Sequence, residues 1–231
     1  MVNAKRMPRV VLFDIDGTLV DCAGAGRRSM RGAFEAELGA PDALEGVRFG
    51  GMTDLGIVRE GLNRLAIEMT EALASAILAR YVELLRAALR DAPSYRVLAG
   101  AREAAEIAGG PGSVVGLGTG NVKAGAEIKL GRGNLTELFS FGGFGCDAEA
   151  RADVLRRGAE RGAALLGASL DQCEVLVVGD TPRDVAAARA IGALSLAVAT
   201  GASSAAELEQ AGPTWLAPSL EHPEAIARLS R

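Results

Sequence analysis

Three short apolar runs, each followed by a glycine-containing turn and then by a helical pattern, limit the fold of this chain more than any other feature. The runs cover residues 10–13, 113–117 and 175–178. Aliphatic and β-branched runs without polar alternation are typical of strands that are buried on both faces of a sheet. Repeated strand-to-helix units predict a parallel sheet. With weaker runs at 141–145 and 194–198, the sequence predicts an α/β fold with about five strands.

A long segment without strand-like alternation separates the first of these strands from the second. Within it, apolar residues recur at spacings of three and four, which predicts one face of a long helix: Leu73, Ile77, Tyr81, Leu84 and Leu85. Thr70 suits the start of this helix and Asp91 its end, and shorter helices are expected near residues 27–38 and 55–65. We therefore expect residues 21–93 to form an all-helical unit that is inserted into a core of residues 1–20 and 94–231.

The composition excludes several classes of protein. The 231 residues are 49% hydrophobic with a formal net charge of -4, which rules out a disordered chain, and no apolar run reaches the roughly 18 residues of a membrane span. The acidic balance and the 4% aromatic content argue against a nucleic-acid partner. Three widely spaced cysteines predict neither a disulfide framework nor a structural zinc site. Since the first apolar run is too short for a signal peptide, we expect a cytoplasmic protein. We expect it to be either a monomer or a homodimer.

Acidic and hydroxyl side chains follow each of the three main strands. Asp14 and Asp16 follow the first, Thr119 the second, and Asp180 and Asp184 the third. The carboxyl ends of parallel strands share one edge of a sheet, where open α/β folds bind ligands. Two carboxylates about 4 Å apart repel each other by roughly 4 kcal/mol at an effective dielectric of 20, so four acids at this edge require a cation. Oxygen ligands of this kind favour Mg²⁺.

Two other kinds of site are weakly supported. Residues 116–121 could be a dinucleotide-binding turn, but Asn121 stands where that motif has glycine or alanine. A serine or cysteine hydrolase lacks support because the single histidine, His222, lies in the C-terminal tail without a motif around it.

The motifs together resemble the haloacid dehalogenase-like superfamily of phosphohydrolases, and the resemblance covers nearly the whole chain. Residues 14–21 read Asp-Ile-Asp-Gly-Thr-Leu-Val-Asp, residues 119–121 read Thr-Gly-Asn, and residues 179–184 read Gly-Asp-Thr-Pro-Arg-Asp, in the family's order. The helical insertion and residues 50–54 resemble the cap and cap loop of the phosphoglycolate phosphatase-like branch. The resemblance implies a Rossmann-like parallel sheet core with an inserted all-helical cap domain. It also implies a Mg²⁺-dependent phosphatase that hydrolyses a small phosphorylated metabolite through an aspartyl phosphate.

The resemblance also implies a role for each residue of the motifs. Asp14 would be the nucleophile, and Asp16 would protonate the leaving alcohol and then activate water. The implied metal ligands are Asp14, Asp16 through its backbone carbonyl, Asp180 and the supporting Asp184. The implied phosphate-binding residues are Gly17, Thr119, Gly120, Asn121 and Arg151.

One departure from the family pattern concerns its basic residue, which is usually a lysine near the start of the helix after the strand at 141–145. Residues 146–152 contain no lysine. Arg151 and Lys123 are the candidates for this cation, and Arg151 is preferred because it starts that helix and can bind carboxylate or phosphate through paired hydrogen bonds. Arg27, Arg28 and Arg59 are candidates for reading an anionic substrate from the cap.

Single residues distinguish the activities known within the superfamily. Asp16 argues against dehalogenation, which needs no acid for the leaving group. Residues 21–95 contain no lysine for a Schiff base and no histidine of the phosphomutase type. Hydrolysis is therefore preferred, and the alternatives are a phosphomutase, another member of the superfamily, or a non-catalytic binding module that retains the fold.

Overall fold

The computed structural model describes residues 7–230 of the chain. Residues 1–6 and Arg231 lie outside the described residues. Residues 1–6 include the start of the expected core and part of the N-terminal segment in which no signal peptide is expected.

A six-stranded parallel sheet forms the centre of the molecule, with strand order β5-β4-β1-β6-β7-β8. This confirms the predicted α/β fold. Its strands are β1 (Arg9–Phe13), β4 (Ser113–Gly118), β5 (Gly142–Gly143), β6 (Glu174–Gly179), β7 (Leu194–Val198) and β8 (Trp215–Ala217). The sixth strand, β8, extends one edge beyond the five expected, and β5 is shorter than the run that predicted it.

The position of β1 explains its continuous apolar sequence. It lies between β4 and β6, and Phe13 is paired with Leu117 on one side and Val178 on the other. Val10 and Leu12 belong to an apolar cluster on one face of the sheet, whereas Val11 and Phe13 belong to a larger cluster on the other. Because both faces are covered, the four positions 10–13 of β1 all hold apolar side chains. The shared register brings the ends of β1, β4 and β6 to the same level.

Nine α-helices surround the sheet or lie between its strands within residues 7–230. They are α1 (Ala25–Leu38), α2 (Asp54–Arg64), α3 (Glu71–Arg90), α4 (Ala101–Ala108), α5 (Lys123–Arg132), α6 (Arg151–Leu165), α7 (Pro182–Ala190), α8 (Ala205–Ala211) and α9 (Pro223–Leu229). Helices α4 and α8 are not predicted from the sequence. Both are short, and α4 buries only alanines while α8 buries a single leucine, so neither contains a conspicuous run of large apolar residues. No helix in the described part of the chain is long and apolar enough to cross a membrane.

Helices α1, α2 and α3 all lie in the segment between two very short strands, β2 (Val20–Asp21) and β3 (Arg96–Val97). These strands form an antiparallel ribbon, so the chain leaves and re-enters the core at one place. The long helix α3 is confirmed: the Thr70 hydroxyl accepts a hydrogen bond from the N–H of Leu73 at 3.2 Å and caps its start. The division into a core and a separate cap domain at residues 21–93 stays a prediction.

Candidate active site

Three aspartates meet at the carboxyl edge of the sheet. Asp14 follows β1, Asp180 follows β6, and Asp184 lies in the first turn of α7. One carboxylate oxygen from each lies within 4.8 Å of the others, and all three residues are buried. Burial and the neighbouring acids raise the pKa of Asp14 to about 6 and that of Asp180 to about 9. The arrangement therefore strongly disfavours three ionised carboxylates without an added cation.

Asp180 has no basic partner within residues 7–230. The one side-chain hydrogen bond that it accepts there comes from the hydroxyl of Thr18, at 3.4 Å, and only 3% of the residue is exposed. A buried carboxylate without a cation is costly unless it is protonated or bound to a metal. Because all the donors are carboxylate oxygens, the group suits a hard divalent cation such as Mg²⁺ better than a softer transition metal.

Arg151, the first residue of α6, lies beside Asp14. Its Nη2 is 3.0 Å from Oδ1 of Asp14 and 2.6 Å from Oδ1 of Asp184. The same nitrogen donates a 2.8 Å hydrogen bond to the carbonyl of Gly118, at the end of β4. Lys123, the other candidate cation, is exposed at the start of α5. Thus the structure brings the arginine, and not Lys123, against the acids at the sheet edge.

Asp16 does not join the other three acids through its side chain, because a second cation holds it. Its Oδ2 is 2.6 Å from Nζ of Lys129, in α5, and 2.8 Å from Nδ2 of Asn121. Burial by itself would raise the pKa of the Asp16 carboxyl, but Lys129 and Asn121 lower it below its usual value. Asp16 therefore meets Lys129 through its side chain, and the role of its backbone carbonyl as a metal ligand stays a prediction.

Lys129 is not among the site residues expected from the sequence, although its position in α5 could have indicated it. Gly125, Ala126 and Leu130 form the buried face of α5, and Lys129 lies on that face at helical spacing. A lysine on a buried helix face is rare unless it has a partner. Its side chain is only 4% exposed, and Nζ also donates a 2.6 Å hydrogen bond to Oδ1 of Asn121. Nearby acids hold the pKa of Lys129 well above its usual value although burial opposes this, so the side chain is charged.

The loop after β4 supplies polar groups beside the acids. The buried Thr119 accepts a 2.8 Å hydrogen bond from Nδ2 of Asn121. Gly120 is packed against the backbone of Met52, where a β-carbon would collide with the carbonyl. Its N–H has no acceptor within the described residues. Gly17 has φ of 78°, and its N–H donates a hydrogen bond to the carbonyl of Val20.

A loop before α2 closes one side of the site. The N–H of Asp54 donates to the carbonyl of Gly120 at 2.7 Å, and its Oδ2 accepts from the N–H of Val122 at 2.8 Å. The hydroxyl of Thr53 donates to the carbonyl of Glu149 at 2.7 Å. Burial raises the pKa of Asp54 to about 6. These contacts dock residues 50–54 onto the predicted phosphate-binding loop.

A cavity of about 1030 Å³ connects these groups, and its walls include Asp14, Asp16, Lys129, Arg151 and Asp180. The three arginines suggested as substrate readers differ in their surroundings. Arg27 lines the cavity with its guanidinium 4.2 Å from the centre of the Phe49 ring. Arg28 donates to the carbonyl of Ala23 at 2.7 Å, and Arg59 pairs with Glu149 at 2.6 Å.

The other nucleophiles considered are poorly placed. Cys22 lines the cavity, but burial and the nearby Asp16 raise its pKa to about 12, so it is a neutral thiol at physiological pH. His222 is exposed and caps α9, where its Nδ1 accepts from the N–H of Glu224 at 3.3 Å. Neither residue forms the nucleophile–base pair that a cysteine or serine hydrolase requires.

Comparisons with known proteins identify a matching family and solved structures with a similar fold. A family model described as haloacid dehalogenase-like hydrolase matches residues 8–192. A hydrolase from Pseudomonas syringae superposes with a TM-score of 0.70 at 22% identity, covering 96% of each chain. A predicted phosphoglycolate phosphatase from Haemophilus somnus gives 0.68 at 17% identity, covering 99% of this chain and all of its own. CbbY from Rhodobacter sphaeroides, in complex with phosphate, gives 0.70 at 18% identity, with 96% and 100% covered. The comparison with curated proteins finds no match.

Proposed function

The chain belongs to the haloacid dehalogenase-like hydrolase family, and from this we propose that it is a Mg²⁺-dependent phosphatase that hydrolyses small phosphomonoesters through an aspartyl phosphate. The observation that carries the proposal is the pairing of Asp14 with Arg151. Next to this pair lies a buried acid, Asp180, that has no basic side chain as a partner within residues 7–230. A carboxylate nucleophile and a cluster of charges that can hold a phosphoryl group occupy one cavity. The description of a similar structure as a phosphoglycolate phosphatase, and the phosphate bound to another, support the same class of substrate.

The charges of the site support a divalent cation. Four carboxylates, those of Asp14, Asp16, Asp180 and Asp184, face two basic side chains, Lys129 and Arg151. Asp14, Asp180, Asp184 and the backbone carbonyl of Asp16 would hold the ion. When bound, Mg²⁺ supplies a positive charge that offsets the acids and attracts the oxygens of the phosphoryl group.

In the first half of the proposed reaction, a carboxylate oxygen of Asp14 attacks phosphorus, and the bond from phosphorus to the leaving oxygen breaks. Binding of the phosphate dianion raises the pKa of the nearby Asp16 carboxyl, so Asp16 takes up a proton, gives it to that oxygen, and the product leaves as an alcohol. In the second half, Asp16 takes a proton from water, which attacks the aspartyl phosphate and releases inorganic phosphate. Arg151 offsets the charge of Asp14 so that an anionic phosphate can approach it.

The residues after β1 and β4 would orient the phosphate. The hydroxyl of Thr119 and the N–H of Gly120 would donate to its oxygens. Asn121, in the same loop, and Gly17, in the loop after β1, would border the phosphate. Gly120 lets the backbone approach closely because it has no side chain. Helices α1 to α3 would act as a cap that excludes water from the phosphoenzyme. Since this cap contains neither lysine nor histidine, hydrolysis is favoured over phosphonate cleavage and over phosphomutase activity.

The decisive experiment is phosphate release from p-nitrophenyl phosphate. We expect turnover with Mg²⁺, no turnover with a chelator, and complete loss in Asp14→Asn without loss of the fold. The matched control is Asp171→Asn, which changes an exposed aspartate outside the cavity and should keep full turnover. Full turnover of Asp14→Asn, or turnover that is unchanged by the chelator, would contradict the proposal. A complete absence of turnover in the wild type with several phosphate esters would favour a non-catalytic binding module.

A further inference from the structure

Beyond Asp16, the cavity reaches the helices of the insertion, where two polar side chains border a space next to a glycine. A β-carbon built on Gly26, in α1, would lie 3.5 Å from Nζ of Lys129 and 3.8 Å from the hydroxyl of Tyr81. All three residues line the cavity. Because residue 26 has no side chain, the space between the ammonium and the phenol is left to solvent or to a ligand.

The hydroxyl of Tyr81 has no hydrogen-bond partner within residues 7–230, although Tyr81 is 1% exposed. The hydroxyl oxygen is not itself fully buried, because it faces the open space of the cavity. Burial raises the pKa of Tyr81, so the phenol stays protonated and can donate. Its position on the cavity wall leaves it free to donate to solvent or to a ligand.

Lys129 brings a second donor to the same space. An ammonium group has three N–H donors. Asp16 and Asn121 use two of them, and no acceptor for the third lies among the described residues. Since Asp16 is the group that would protonate the leaving oxygen, the space next to Lys129 lies on the leaving-group side of the site.

The surroundings of these donors favour a short, uncharged occupant. Met30 in α1 and Ile57 in α2 contribute apolar walls to the cavity and are almost completely buried. The charge of Lys129 is already paired with Asp16, and Asp54 adds another acid nearby. A carboxylate on the leaving group would therefore meet two acids, whereas a hydroxyl oxygen can accept hydrogen bonds without that repulsion.

We propose that Tyr81 and Lys129 form a leaving-group subsite that binds a hydroxyl oxygen on the carbon next to the phosphate ester. The natural substrate would then be the monophosphate of a short diol or polyol. This inference rests on the proposed phosphatase function and adds the class of substrate to it.

The test compares substrates that differ only at this oxygen. In 2-hydroxyethyl phosphate and propyl phosphate, a hydroxyl and a methyl group occupy the same position, so their ratio of kcat/KM isolates the hydrogen bonds. We expect the hydroxylated ester to be preferred by tenfold or more, because a site with buried unpaired donors rejects an apolar isostere. Equal values for the two esters in the wild type would overturn the inference.

The two tyrosines of the chain offer a matched pair of variants. Tyr81→Phe should reduce the preference for 2-hydroxyethyl phosphate over propyl phosphate about tenfold, through a lower kcat/KM for the hydroxylated ester. Tyr95→Phe removes a hydroxyl that donates to the carbonyl of Lys129 at 2.8 Å and should keep the preference. A preference that survives in folded Tyr81→Phe, with the fold checked by circular dichroism, would also contradict the assignment.

Gly26→Ala tests the space itself. The added methyl group would make ordinary contacts with Lys129 and Tyr81, and alanine suits a helix better than glycine, so the Tm should be unchanged or higher. KM for 2-hydroxyethyl phosphate should rise at least fivefold, whereas methyl phosphate, whose leaving group is too short to reach this space, measures basal turnover. An unchanged KM would show that the leaving group does not occupy this space.

Three outcomes separate this inference from the function on which it rests. Asp14-dependent hydrolysis of p-nitrophenyl phosphate without discrimination between the alkyl esters would refute the subsite alone. Faster hydrolysis of carboxymethyl phosphate than of 2-hydroxyethyl phosphate, with sensitivity to Arg27→Ala, would replace the hydroxyl by a carboxylate. A lack of Asp14-dependent hydrolysis for every ester would refute both the function and the subsite.

Discussion

Lys129 and Asp16 form an ion pair of 2.6 Å in which the lysine is buried and the aspartate is 46% exposed. The second cation of the site, Arg151, contacts Asp14 and not Asp16. Each of the two acids to which we assign chemistry therefore has its own basic partner. This division places positive charge both at the attacking oxygen and on the side of the leaving group.

Asp16→Asn should separate the two halves of the reaction. Asparagine keeps the size of the side chain and an oxygen for Lys129, but it can neither donate the catalytic proton nor take one from water. With an activated aryl phosphate, whose leaving group needs little protonation, formation of the phosphoenzyme should partly survive and its hydrolysis should slow. Rapid-quench measurement of phosphoenzyme and product checks this, and an equal loss of both steps would count against the acid/base role.

Arg151→Ala should lower turnover by about two orders of magnitude or more, because it removes the cation next to Asp14. The control is Lys123→Ala, which changes an exposed side chain and should have a mild effect. Leaving Asp14 and Asp184 without their partner also costs stability, so Tm is measured in parallel, and Arg151→Lys should restore the fold and part of the activity. The opposite order of effects would assign the role to Lys123.

Lys129→Met should reduce turnover by at least tenfold and should preserve the fold. Methionine matches the length of lysine and tolerates burial, and Asp16 is exposed enough to be hydrated after its partner is lost. We expect the loss mainly in kcat, because the variant frees the carboxylate of Asp16 from its fixed position. Wild-type turnover in this variant would show that the ion pair has only a structural role.

Asp54→Asn should stabilise the protein at neutral pH. The folded-state pKa of Asp54 is raised to about 6 from 3.8, so between these values the folded state binds more protons than the unfolded state. The free energy of unfolding should therefore fall as pH rises from about 4 to 6, by up to about 3 kcal/mol from this group. Asp54→Asn removes this dependence and should raise stability at pH 7.5 by about 1–3 kcal/mol but have little effect at pH 4.

Urea unfolding at several pH values measures the effect of Asp54→Asn. Asp42→Asn is the control, because Asp42 is exposed and its ion pair with Arg31 lies at the surface. A stability difference for Asp54→Asn that is the same at pH 4 and pH 7.5 would contradict the role given to burial of this carboxyl.

The central strands and the acids that follow them can be predicted from the amino-acid sequence. The run that becomes β1 has to be buried on both sides because it contains no polar alternation, and parallel strands then bring Asp14 and Asp180 to one edge. The long helix α3 can also be predicted, since its apolar residues recur at helical spacing and Thr70 caps it. These features follow from local periodicity and from the direction of parallel strands, which a single sequence contains.

The pairing of the charges depends on how the helices pack and cannot be predicted from local sequence. Helical spacing places Lys129 on the buried face of α5 but does not identify its partner. The docking of α5 directs Lys129, eight residues after Asn121, towards Asp16. Tyr81 fits the apolar face of α3, and its unpartnered hydroxyl becomes visible only when α1 brings Gly26 next to it. Helical spacing fixes which residues share a face, but the rotation and packing of one helix against another decide what that face meets. The partners of these buried polar groups therefore depend on contacts between residues that are distant in the chain.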